Sequence, residues 1–166
     1  MLATQTRILF LCTGNSARSI MAEAVAKEMF GERLDAVSAG SRPKAAPHPL
    51  ALKTLETHGI SADDLASKSW DAIKDDVRGF DLAVTLCDSA AKEECPIWPG
   101  APLRAHWGFP DPPQAADPPA MFERVFQGLV EAIGILAADD DAPLDVKAGK
   151  AAELVKQWFP ESAIVP

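Results

Sequence analysis

Short, wholly apolar runs alternate along this chain with longer stretches in which apolar residues return every third or fourth position. The first run, residues 7–11 (RILFL), stops at a Gly-Asn turn and has the length and character of a strand buried on both faces. Residues 17–30 (ARSIMAEAVAKEMF) have helical period, with Met21, Ala22, Val25 and Met29 on an apolar face and Glu23 and Lys27 on the other side. Residues 34–39 (LDAVSA) read as a second strand closing on Gly40, and Pro43, Pro47 and Pro49 then mark an irregular loop. A helix over 50–58 stops at Gly59. Residues 70–77 read as a short helix, 81–86 (DLAVTL) as a third buried strand and 103–106 as a weaker fourth. Five prolines in twelve positions make 108–119 a loop. Two amphipathic helices, 120–138 and 144–159, follow, joined by an acidic turn at 139–141.

Strands alternating with helices imply right-handed crossovers and a parallel sheet covered on both faces. The expected fold class is therefore α/β, a three-layer α/β/α arrangement around a four-stranded parallel sheet. No internal repeat, low-complexity tract or linker interrupts the chain, so residues 1–166 are expected to form one domain.

Charge narrows the range of functions. With 16 Lys and Arg against 24 Asp and Glu the net charge is −8, which leaves no basic surplus for nucleic acid or an anionic membrane. A local pocket for a small anion remains compatible with an acidic chain. No segment approaches the ~18 apolar residues of a membrane span, and the N-terminus lacks a signal-peptide pattern, so a cytoplasmic protein is expected. In that compartment three cysteines are not expected to form a structural disulfide set, and taken singly each would serve as a small buried hydrophobe.

Context changes this for Cys12. The first strand ends in Cys12-Thr13-Gly14-Asn15-Ser16-Ala17-Arg18-Ser19, and a helix starts directly after it. Cys, five residues and Arg is a weak signal as spacing, but between a strand and a helix N-terminus it gains meaning. Small residues let successive backbone N–H groups turn inward and form a concave anion site. Gly14 permits a positive φ or a close backbone approach. Arg18 offers a planar fork for two oxygens of a tetrahedral oxyanion, and the same positive surroundings favour the reactive thiolate of Cys12, to which Ser19 can donate a hydrogen bond. Ligands of open parallel sheets bind at the carboxyl ends of the strands, where Cys12 lies.

These residues carry a resemblance. LFLCTGNSARSIMAEA, the SAG at Ser38 to Gly40, VTLCDSAAKEECPIWPG at 84–100 and HWGFPDP at 106–112 together resemble the low-molecular-weight protein tyrosine phosphatase-like family, in its thioredoxin-coupled arsenate reductase branch. The likeness spans about 7–112; the last two helices match only in length and amphipathic character. It implies the low-molecular-weight phosphatase-like form of the fold and an oxyanion loop made by Thr13, Gly14, Asn15, Ser16, Ala17, Arg18 and Ser19.

Two further cysteines bear on the reaction. Cys87 ends the third strand and is expected at the same rim as Cys12. Cys95 follows eight residues later, and were that stretch helical the two Cα atoms would lie roughly 12 Å apart. A disulfide needs about 4.4–6.8 Å, so pairing them would require the segment to unwind or fold back. The resemblance implies a relay: Cys12 attacks arsenate, Cys87 attacks Cys12 to release arsenite, and Cys95 attacks Cys87. No cofactor is implied as bound. An external thiol resets the enzyme, thioredoxin first, with glutaredoxin/glutathione or mycothiol as alternatives. Phosphate or sulfate would mimic arsenate.

By the same resemblance Asp111 in GFPDPP is a general acid above the loop, and Asn15 holds the loop by side-chain hydrogen bonds. His106 and Trp107 are expected to serve packing before catalysis. His48 and His58 have no ligand spacing, and no metal site is expected. Two departures stand out. Ala17 replaces a cysteine that some members carry. Some members also bind potassium near the loop with an acidic ligand, where this chain has Trp70 in SKSWDAI; Glu23, Ser38 and Asn15 remain available there. A tyrosine phosphatase is the nearest rival, but Pro113 follows the Asp-Pro in place of an aromatic wall, and the chain has no Tyr. A non-catalytic oxyanion or thiol sensor is the rival from another class.

Overall fold

The computed structural model describes residues 5–87, 98 and 100–160. In chain order it contains strand β1 (Thr6–Leu11), helix α1 (Arg18–Phe30), β2 (Leu34–Ala39), α2 (Pro49–Thr57), β3 (Leu82–Thr85), β4 (Leu103–His106), α3 (Pro118–Ala137) and α4 (Leu144–Trp158). Single 3₁₀ turns lie at Trp70–Ala72 and Pro112–Gln114. The four strands are parallel in the order β2-β1-β3-β4, as the alternating pattern predicts. Their registers align the carboxyl ends: Leu11 stands beside Ala39 on one side and Thr85 on the other, and Thr85 beside His106. Cys12, Gly40 and Leu86 therefore follow at one level of the sheet, with Cys87 one residue beyond.

Alternation along β1 divides the core. Ile8 and Phe10 enter a large cluster with Met21, Val25, Phe122 and Leu129 from α1 and α3. Leu9 and Leu11 face the opposite way, onto Ile73, Phe80 and Trp98. All four side chains are at most 2% exposed, which suits a central parallel strand. Trp98 also packs edge-on against Trp70, with ring centroids 6.0 Å apart. Among the described residues no helix is long and apolar enough to cross a membrane.

Three elements differ from the pattern-based expectation. On α1, Glu23 is 2% exposed and Met29 is 48% exposed, the reverse of the predicted faces. The helix is buried almost all round from Ser19 to Ala26, and Glu23 is held by hydrogen bonds rather than solvated. The expected helix at 70–77 is one 3₁₀ turn. The Asp76 carboxylate accepts from the Arg78 N–H at 2.9 Å, a local alternative to helical bonding, and Val77 is 97% exposed with nothing to bury. Finally, Pro118 and Pro119 open α3 instead of ending the loop. Proline fits a first helical turn, where its missing N–H is not needed, and Asp117 caps the turn by accepting from Ala120 N–H at 3.2 Å.

Candidate active site

The segment between β1 and α1 is shaped largely from outside. Three of its carbonyls point away onto the chain that follows β2: Thr13 O accepts from Arg42 N–H at 3.0 Å, Gly14 O from Lys44 N–H at 2.9 Å and Ser16 O from His48 N–H at 2.8 Å. With those carbonyls engaged, the backbone N–H groups of Gly14, Asn15, Ser16 and Ala17 have no acceptor among the described residues. Ala17, the N-cap of α1, provides no side-chain cap. Uncapped first-turn N–H groups and the positive end of the helix therefore meet beside Cys12, an environment that attracts an anion.

Gly40 permits this packing. A Cβ there would lie 2.4 Å from Thr13 O and 2.6 Å from Cys12 O, closer than any real contact. The positive φ anticipated at Gly14 belongs instead to Asn15, at 44°. Left-handed backbone is costly for a residue with a side chain. Here the buried Asn15 offsets that cost with three bonds: Nδ2 donates to Ser19 Oγ at 2.8 Å and to Ser38 Oγ at 3.0 Å, and Oδ1 accepts from Lys68 N–H at 2.8 Å.

These bonds fix a direction. Ser19 Oγ accepts from Asn15, so its own proton is left for Cys12 Sγ, 2.8 Å away. Ser38 Oγ likewise accepts from Asn15 and donates to Glu23 Oε1 at 2.8 Å. Ser38 N–H donates to the same oxygen at 2.7 Å, and the ammonium groups of Lys68 and Lys27 sit 3.3 and 3.2 Å from the Glu23 carboxylate. A chain of hydrogen bonds thus links a buried, ion-paired carboxylate to the Cys12 sulfur, with Asn15 Nδ2 donating toward both ends. Sequence reasoning placed Glu23 on the solvent side and passed over Lys68. The oxygens of Glu23, Ser38 and Asn15, which the resemblance offered to a potassium ion, are all engaged, and Lys68 already brings its positive charge to Glu23. These residues do not fit a further cation.

Cys87 follows β3, and Leu86 N–H donates to Leu11 O at 2.9 Å. The Cys12 and Cys87 side chains, each 4% exposed, pack against one another and are not bonded as a disulfide. Thr13 Oγ1 lies 3.7 Å from Cys87 Sγ. Arg18 enters from the first turn of α1; its Nη1 donates to Phe109 O at 2.9 Å, its Nη2 lies 3.6 Å from Asp111 Oδ1, and its buried Nε has no partner among the described residues. Asp111, with a 46% exposed side chain, stands just before the Pro112–Gln114 turn. Cys12, Arg18, Cys87 and Asp111 are thus brought together, while Cys95 lies outside the described residues. Trp107 is fully buried and donates from Nε1 to Ala148 O at 3.3 Å, a packing role. His106 is exposed, with Nδ1 2.8 Å from Thr85 Oγ1.

Residues 7–144 match the family described as low molecular weight phosphotyrosine protein phosphatase. The arsenate reductase of Bacillus subtilis (strain 168) is 40% identical over 128 residues, covering 76% of this chain and 88% of that one. Among solved structures, "An arsenate reductase in the phosphate binding state" superimposes with a TM-score of 0.67 at 26% identity, covering 80% of this chain and 97% of its own. A Corynebacterium glutamicum thioredoxin-dependent arsenate reductase shares the fold with a TM-score of 0.61 at 24% identity, over 79% of this chain and 61% of that one.

Proposed function

Because the chain belongs to the low molecular weight phosphotyrosine protein phosphatase family, we propose that it reduces arsenate to arsenite through Cys12, Cys87 and Cys95. The observation that carries this reading is the pair of buried thiols, Cys12 inside the oxyanion loop and Cys87 packed against it. Phosphate-ester hydrolysis needs only the first.

The chemistry runs as follows. Arsenate seats against the N–H groups of 13–18, with two of its oxygens on the Arg18 fork. Ser19 donates to the Cys12 thiolate, which attacks arsenic; a hydroxide leaves and takes a proton from Asp111 to depart as water. Cys87, as thiolate, then attacks Cys12 Sγ. The S–S bond forms, the S–As bond breaks with its electron pair on arsenic, and As(V) becomes As(III). Cys95 attacks Cys87 Sγ and frees Cys12, and an external dithiol of the thioredoxin type reduces the Cys87–Cys95 disulfide. Two electrons enter per arsenate, so the thiol balance closes. A reducing compartment such as the cytoplasm keeps the three thiols ready.

Disulfide mapping by mass spectrometry tests the scheme. Reduced protein treated with arsenate is expected to accumulate Cys87–Cys95, and Cys12→Ser to abolish it. Cys95→Ser is expected to stop at Cys12–Cys87. Normal turnover by Cys95→Ser with the native reductant would replace the relay with a two-thiol scheme resolved by glutathione or mycothiol. Aryl phosphate hydrolysis without any arsenate-dependent disulfide would identify a phosphatase, and binding without turnover a sensor.

A further inference from the structure

We propose that Lys44 is a steering residue for the oxyanion, a cation held against the loop at Gly14 whose charge draws in the incoming dianion before Arg18 binds it. This rests on the proposed oxyanion site but assigns a residue from outside its Cys-to-Arg segment.

Placement is the first argument. The chain after Gly40 climbs the outside of the loop rung by rung, through Arg42 N–H to Thr13 O, Lys44 N–H to Gly14 O and His48 N–H to Ser16 O. Lys44 is therefore fixed opposite Gly14 by backbone bonding. Its stem then folds onto Gly14: the position a Cβ would take there is 3.4 Å from both Lys44 Cγ and Cε. With one further C–N bond of about 1.5 Å, the ammonium lies within roughly 5 Å of that position. Gly14 has no positive φ, and the lysine stem lies at van der Waals distance over it.

Charge is the second. Acids outnumber bases by 24 to 16, and Arg7, Lys27, Arg33 and Lys68 are all ion-paired. Lys44 is exposed and has no acidic partner among the described residues, and it flanks a loop whose N–H groups from Gly14 to Ala17 have no acceptor among them. A cation left uncompensated beside an anion site is complementary to the anion. On a chain of net charge −8, such local positive potential raises the encounter rate with a dianion. The two basic side chains also divide the work by their chemistry. Arg18 is a fixed planar fork for the bound state, whereas a lysine is a compact charge on a flexible stem, suited to an anion still in motion.

The test compares Lys44→Gln, Lys44→Arg and Lys44→Glu with the unaltered protein, using steady-state arsenate reduction at several ionic strengths and calorimetric titration with inorganic phosphate. Lys44→Gln is expected to lower kcat/KM roughly 3- to 10-fold, to leave kcat within about two-fold, and to flatten the salt dependence. Phosphate affinity should fall in parallel, Lys44→Arg should restore most of both, and Lys44→Glu should lose more. An unchanged kcat/KM and salt slope in Lys44→Gln overturns the proposal. So does an equal loss in Lys44→Arg accompanied by a lower Tm, which would mark a packing role. An unaltered protein that binds phosphate without reducing arsenate overturns the reductase reading alone, because Lys44 is then judged on phosphate affinity. One that binds no phosphate overturns both.

Discussion

Two arginines of similar burial stand at opposite ends of the sheet, with side chains 12% and 14% exposed. Arg7, at the amino end, spends its whole head group. Its Nε donates to Asp35 at 2.8 Å, Nη1 to Gly79 O at 2.6 Å and Nη2 to Asp76 at 3.4 Å, and its guanidinium lies 4.7 Å from the centre of the Phe80 ring. Arg18, at the carboxyl end, holds Phe109 O and a longer contact to Asp111, and leaves a buried Nε without a partner among the described residues. The contrast separates two uses of one residue type. A guanidinium satisfied on every side ties β1, β2 and the turn before β3 together. One left incompletely satisfied, next to backbone N–H groups in the same condition, costs stability that a bound anion restores.

The contrast can be broken from either end. Arg18→Ala should weaken inorganic phosphate binding roughly 10³-fold by calorimetry, since two charge-assisted bonds are lost. It should change the urea midpoint little; a large loss of stability with intact binding would reverse the roles assigned to the two arginines. Arg7→Met should cost about 2–4 kcal/mol in urea unfolding, because it leaves Asp35 and Asp76 with less compensation, while phosphate affinity per folded molecule stays the same. A comparable loss of phosphate affinity would show that the two ends are coupled. The smallest effect is one of pH. Hydrogen bonds from the Arg78 side chain and then its backbone N–H, with a further contribution from Arg7, outweigh burial and lower Asp76 from an ordinary 3.8 to about 2. Its ionised form therefore stabilises the fold fully above pH 3.8, and that share is lost as pH falls towards 2. Asp76→Asn should make the acid limb of the stability profile shallower in that window and leave neutral-pH activity alone.

What the sequence reveals here depends on how local the cause is. The strands at 34–39 and 103–106 appear at their predicted bounds, the first as a largely buried run decided by its own side chains, the second as a mostly exposed edge held by its pairing with β3. The oxyanion loop is legible as the first of these is, since Cys12, Arg18 and the small residues between them are contiguous. Cys87 could be placed beside Cys12 because strand ends in a parallel sheet share a rim. Periodicity misplaces Glu23: a glutamate at helical spacing from apolar neighbours reads as solvated until Ser38, fifteen residues on, supplies its partners, and only the resemblance set it beside Ser38 and Asn15. Lys68 and Lys44 escaped for the same reason, being defined by contacts with residues far from them in sequence. Gly14 permits a positive φ or a close approach by its residue type alone, whereas the left-handed residue is Asn15, held there by three side-chain bonds that the sequence does not show.

The close approach at Gly40 bears on how transplantable this loop is. Its curvature is cast against β2 and the stretch from Arg42 to His48, as a mould gives form to what is poured into it. The octapeptide from Cys12 to Ser19, grafted between a strand and a helix of another scaffold, would bring the nucleophile and the fork but not the surface that turns its carbonyls outward. Evolution or design could therefore vary the sequence of the loop more freely than the backbone path beside it. A single residue inserted between Ser41 and Arg42 would shift the rungs on which three loop carbonyls hang, and would reach Cys12 without altering any residue of the motif.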